Sequence, residues 1–139
     1  MTGVEKTIEI RAAVVGEIVA HARADAPMEC CGLLLGAGVR IEGAYRARNA
    51  LLSPTRYQVE PEDHFAALRA ARTAGLTVVG AYHSHPRSSA VPSPTDLAEA
   101  LHPDFVWIVV GLRGDDPPDV RAYRLESGNF RELTIVTFS

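Results

Sequence analysis

The sequence predicts an α/β domain in which a mixed β-sheet is flanked by helices. Short apolar runs bounded by Gly, Pro or charged residues alternate with segments whose apolar residues recur at helical spacing. The resulting order, β-α-β-β-α-β-α-β-β-β, combines hairpins with helical crossovers and so gives a mixed sheet. With 139 residues, 47% hydrophobic and 22% charged, the chain is of a size to bury one core without disulfide staples. Residues 1–139 are therefore expected to form a single domain.

Taken in order, Thr7-Ile-Glu-Ile-Arg11 alternates as a first strand. From Arg11 to about Ala24, Val14, Val15, Ile18, Val19 and Ala22 mark a helix face, and Pro27 ends the segment. Cys30–Leu35 is a buried strand, and Arg40–Arg48 returns as its hairpin partner through Gly-Ala-Gly. Asn49 to Glu60, with Pro54, reads as loop with a short extended piece at Tyr57-Gln-Val59. Pro61-Glu-Asp opens a second helix with proline and acids in its first turn, and Gly75 stops it. Phe65, Leu68 and Ala71 are expected on its inner face.

Thr77–His85 is the next strand, and Pro86 to Pro92 an irregular polar loop. Ser93-Pro-Thr-Asp96 starts a third, short helix to about Leu101. Phe105–Leu112 reads as a central strand and Gly114–Asp119 as a turn; Val120–Leu125 and Phe130–Phe138 close the chain.

Bulk properties exclude several classes of function. A net charge of -3 gives no electrostatic case for nucleic acid or an anionic membrane as partner. The two cysteines, Cys30 and Cys31, are adjacent, a poor geometry for a mutual disulfide, and they lack CxxC spacing. A reducing, cytoplasmic setting is the expectation. Met1–Lys6 has no signal-peptide architecture, and the Phe105–Leu112 run is far too short to cross a bilayer.

The chemistry concentrates in His83-Ser-His85 followed by Ser93 and Asp96. On a strand, His83 and His85 share one face while Ser84 points opposite. Two imidazoles and a carboxylate make a three-ligand metal site with room for water at a fourth position. That donor set suits zinc, and it also matches the facial triad of non-haem iron oxygenases. Ser93-x-x-Asp96 is in addition a capping-box pattern, so the serine has a purely structural explanation beside any chemical one. A zinc deaminase would need H-x-E and P-C-x-x-C, and the chain has neither. Hydrolysis also needs a proton carrier near the metal. Of the acids, Glu29 stands apart at the mouth of an apolar strand, whereas Glu17, Glu42, Glu62, Glu99 and Asp115-Asp116 read as surface groups.

The set Glu29, His83-Ser-His85-Pro86 and Ser93-Pro-Thr-Asp96 resembles the signature of the JAMM (MPN-plus) metalloproteases. That signature is a distant glutamate, then H-x-H, seven residues, serine, two residues and aspartate, and every position is filled. Pro27-Met-Glu29-Cys-Cys-Gly-Leu-Leu-Leu-Gly36 resembles the family's glutamate-bearing strand, and Asn49 with Tyr57 its middle segment. The resemblance implies a three-layer, cytidine-deaminase-like arrangement. It implies one zinc ion on His83, His85 and Asp96, with Glu29 activating the water and Ser93 stabilising the oxyanion.

Family members cleave peptide or isopeptide bonds after the C-terminal tail of ubiquitin or ubiquitin-like proteins, and small prokaryotic members trim sulfur carriers ending in Gly-Gly. The chain lacks the insertions of ubiquitin-specific relatives, so the expected partner is a small carrier tail, lying as an added strand at an exposed sheet edge. A binding module that keeps the ligands but does not cut is the rival from another class.

Overall fold

The computed structural model of the protein describes residues 6–114 and 116–139. Met1–Glu5 and Asp115, part of the expected turn and acidic pair, lie outside the described residues. The element order is β1 (Thr7–Arg11), α1 (Ala12–Asp25), β2 (Cys31–Ala37), β3 (Arg40–Ala47), α2 (Pro61–Thr73), β4 (Thr77–His85), α3 (Pro94–Glu99), β5 (Val106–Gly111), β6 (Asp119–Glu126) and β7 (Asn129–Phe138). Every expected element is present, with ends shifted by a residue or two.

The sheet is mixed, as expected, but it is not open. Its strands run β1-β3-β2-β4-β5-β6-β7 and close into a barrel. Closure is the work of β1, which pairs in parallel with β7 on one side and with β3, at Arg40 and Ile41, on the other. The first and last strands of the chain thus meet, which local patterning does not encode. Closure also removes open edges to which an extended tail would add. What is left includes the stretch of β3 beyond Ile41, past its pairing with β1.

Strand alternation sorts the core into two clusters. The inner one takes Ile8, Ile10, Leu34, Ile41, Tyr82, Ile108, Ala122 and Leu133 from the seven strands and Val14, Ile18 and Ala22 from α1. The outer one joins Leu33, Ala81, Trp107, Val109 and Tyr123 to Ala67 of α2. Helices therefore flank the sheet on both faces. The inner face of α2 differs from expectation: Ala67 and Ala71 are buried, while Phe65 and Leu68 are 62% and 42% exposed. Small side chains let the helix approach β2 and β4 closely, and the larger residues one step round the helix point outward. No helix among the described residues is long and apolar enough to cross a membrane.

One polar pair lies inside the inner cluster. His21 Nδ1 is 2.7 Å from the Tyr82 hydroxyl, and both residues are buried. Gly32 leaves room for the Tyr82 ring, since a Cβ there would lie 2.2 Å from the ring edge. His21 is thus a satisfied core histidine, and burial holds its pKa below the usual value. Tyr82→Phe should cost about 1–3 kcal/mol by leaving His21 Nδ1 without its partner, while Nε2 keeps its contact with Asp25. Chemical denaturation checks the loss, and metal affinity should stay unchanged because Tyr82 faces away from His83.

Candidate metal centre

The site forms where the ends of β2 and β4 meet. Cys31 pairs with His83, and Cys30 is bound to Ser84 twice, its N–H donating to Ser84 Oγ (2.9 Å) and its carbonyl accepting from Ser84 N–H (3.2 Å). Continuing that register by one residue sets Glu29 across from His85. Since residues two apart share a face, Glu29 joins His83 and His85 on the outer side. Sequence spacing cannot reveal this pairing across 54 residues; the antiparallel β2–β4 contact is the signal that does.

The expected ligands converge. Donor atoms of His83, His85 and Asp96 all lie within 4.8 Å of one another. Asp96 Oδ2 is 3.0 Å from His85 Nε2 and 3.2 Å from His83 Nε2. All three residues are buried, as is Glu29 at 3% exposure. Tyr57 stacks on the His83 ring at 4.4 Å and fixes its plane.

Tautomers decide what these atoms offer. His85 Nδ1 lies 2.9 Å from the Ser89 carbonyl, an acceptor, so Nδ1 carries the hydrogen and Nε2 presents a lone pair toward Asp96. His83 Nε2 forms no aligned hydrogen bond despite its approach to Asp96, and burial keeps this imidazole neutral by lowering its pKa. Three lone-pair donors facing one another need a cation between them. This donor set therefore fits a divalent metal. Without one, a proton serves: burial opposes it, but bonds to Asp96 and Ser89 raise the His85 pKa. Asp96, although burial favours its neutral form, is held well below the usual carboxylate range by the two histidines.

Glu29 shows the opposite behaviour. Burial, reinforced by the Asp96 charge and opposed by His85, pushes its pKa up to about 8. Among the described residues, its buried Oε1 has no hydrogen-bond partner. A carboxylate so placed takes and returns protons near neutral pH. The neighbouring thiols are inert, since burial pushes Cys30 and Cys31 up to about 12.

Ser93 caps α3. Its Oγ accepts from Asp96 N–H (3.0 Å), and its own N–H donates to Asp96 Oδ2 (2.9 Å), a complete capping box. The cap uses an acceptor lone pair and leaves the hydroxyl hydrogen to donate elsewhere. Capping and oxyanion contact are therefore compatible, although the sequence sets them in competition.

The loop between His85 and Ser93 is built rather than irregular. Ala90 is fully buried, its N–H donating to Asp119 (2.9 Å) and its carbonyl accepting from Tyr123 (2.8 Å). The loop lies directly on Gly111, where a Cβ would come within 2.5 Å of Ser88 O and Ala90 N. A second anchor is Asn49, whose amide donates to the carbonyls of Glu29 and Arg56 and accepts from the N–H groups of Leu51 and Gln58. Asn49 thereby ties Glu29 to the loop carrying Tyr57. Sequence reasoning missed Gly111, Asp119, Tyr123 and the Ser89 carbonyl, which have no motif. His64 is half-buried and His102 exposed, and neither joins the donor cluster.

Residues 11–126 match the family of prokaryotic homologues of the JAB domain. The chain belongs to that family. The match spans Glu29, His83, His85, Ser93 and Asp96 and bears out the JAMM (MPN-plus) resemblance. A CysO-cysteine peptidase of Mycobacterium tuberculosis is 36% identical over 132 residues, covering 94% of this chain and 90% of the relative. A desampylase of Haloferax volcanii is 36% identical over 127 residues, covering 85% and 87%. The solution structure of a protein from Desulfitobacterium hafniense superposes with TM-score 0.86 at 28% identity, covering 94% and 92%.

Two expected outcomes follow from this geometry. Gly111→Ala should displace the loop that orients His85 and weaken metal binding by roughly 10- to 100-fold, the scale of losing a metal ligand's hydrogen-bonded support; competitive chelator titration measures it. At pH 7, Glu29 below its pKa of about 8 carries a proton that an adjacent dication expels. Calorimetry in buffers of different ionisation enthalpy should show Glu29→Gln releasing roughly one proton fewer than the parent on metal binding.

Proposed function

We propose that the chain, acting as one catalytic domain over residues 1–139, is a zinc-dependent peptidase or isopeptidase. On this reading it hydrolyses the bond after the Gly-Gly tail of a ubiquitin-like or sulfur-carrier protein. The observation that carries the proposal is the meeting of three buried metal donors with an unpartnered, proton-holding Glu29. Relatives named as a CysO-cysteine peptidase and a desampylase support the substrate class.

His83, His85 and Asp96 would hold the ion, and a zinc ion bound there would supply an acidified water, of pKa about 7, and polarisation of the scissile carbonyl. Glu29 takes the proton of the attacking water and delivers it to the departing amine, so the C–N bond breaks after the C–O bond forms. The Ser93 hydroxyl, fixed by its cap, donates to the oxyanion of the tetrahedral intermediate. Burial of His83, His85, Asp96 and Glu29 strengthens these charge interactions by lowering the local dielectric.

Incubation with Gly-Gly carrier fusions, read by intact mass, should show cleavage after Gly-Gly that a chelator abolishes and zinc restores. Glu29→Gln should abolish turnover with metal retained, and substantial remaining activity would remove Glu29 from its role. Asp96→Asn should lose metal; unchanged zinc content would contradict its place as a ligand.

A further inference from the structure

We propose that Arg87 binds the free carboxylate of the leaving group, so that the enzyme releases a single C-terminal amino acid in preference to an amine lacking a carboxylate. The proposal rests on the peptidase reading above and names which conjugates that site takes.

The two sides of the metal site differ. One opens into a cleft of about 480 Å³ lined by Glu29, His85 and Ser93 together with Met28, Arg87 and Val91. The other is a groove of about 490 Å³ bounded by Tyr57, Leu33 and Trp107, and neither Glu29 nor Ser93 lines it. The departing amine must receive its proton from Glu29, so it leaves into the first cleft.

That first cleft has one permanent cation among its described residues, Arg87, two residues after His85. Its guanidinium is exposed, and among the described residues it forms no ion pair. Arginine's fork matches a carboxylate in two parallel hydrogen bonds. In an amino acid leaving group the carboxylate sits on the carbon next to the departing nitrogen, and so accompanies it into this cleft. A lysine ε-amine from a protein conjugate brings no carboxylate there. Met28 and Val91, 36% and 53% exposed, offer apolar surface to a small side chain on the same carbon.

The test uses the zinc-loaded protein and a Gly-Gly sulfur carrier extended by one alanine, which avoids thiol binding to the metal. One carrier ends in a free carboxylate and the other in alaninamide. The parent enzyme should prefer the free acid by roughly 10- to 100-fold in kcat/KM, carried by KM, the scale of one charge-assisted contact. Arg87→Gln should bring that ratio toward one, and Arg87→Lys should restore part of it. Zinc-loaded Glu29→Gln protein should bind the free-acid carrier more tightly than the amide, a difference that the double variant with Arg87→Gln loses. Cleavage of both carriers at equal rates by the parent, or a ratio unmoved by Arg87→Gln, overturns the assignment of Arg87 alone. Failure to cut either carrier overturns the peptidase reading and this inference together.

Discussion

The alternation of a single strand organises the molecule. Along the last turns of β4, Tyr82 and Ser84 face inward while His83 and His85 face outward, so one nine-residue strand serves two environments. The inward residues lock the strand: Tyr82 bonds His21 beneath α1, and Ser84 holds the entrance of β2 at Cys30. The outward residues can then be buried and close together without β4 yielding. A slip of one residue would exchange the faces and place imidazoles in an apolar core. Two-sided pairing, antiparallel to β2 and parallel to β5, prevents it.

Convergence of lone-pair donors opposes folding unless a cation joins them, so the surroundings must hold the ligands in place. They do so from three directions. The 86–92 segment is fastened at Ala90 and rests on Gly111. The 49–59 segment is gathered round the Asn49 amide and brings Tyr57 onto His83. The first turn of α3 binds Asp96 through the capping box. The Arg56–Glu99 ion pair joins the second and third of these supports at 3.1 Å, although its exposure makes it a small contributor. Hydrogen bonds to backbone, rather than charge pairs, carry most of the positioning.

The three converging donors and the element order were legible in the sequence because both rest on short-range spacing: period two for His83 and His85, a capping signal for Asp96, glycines and prolines at the turns. Glu29 stood out in the sequence as an acid at the mouth of an apolar strand, but its role came only through resemblance, since its place depends on pairing between strands far apart in sequence. Closure of the sheet escaped for the same reason, with β1 receiving both neighbours from distant segments. The inner face of α2 was misjudged because Ala71 fits two helical stripes. Size favoured the one with Phe65 and Leu68, whereas close packing on the sheet required the one with Ala67. The supports Gly111, Asp119 and Tyr123 are ordinary strand residues whose role exists only once the loop is folded against them.

On the proposed mechanism, Ser93 extends the constraint on β4 into chemistry. A hydroxyl that served the oxyanion alone would sample three rotamers, and ordering it in the transition state would cost entropy. Here the Asp96 amide fixes the oxygen in the ground state, with one lone pair committed and one hydrogen remaining. The same carboxylate that completes the cap is the third of the converging donors and would be a metal ligand on the proposed reading, so carboxylate, cap and hydroxyl are coupled. Capping is then the means by which the hydroxyl is preorganised, and the two roles reinforce each other. The proposed arrangement needs a hydroxyl at this position, since alanine keeps neither role and a cap through a carboxylate would bring negative charge toward a forming oxyanion.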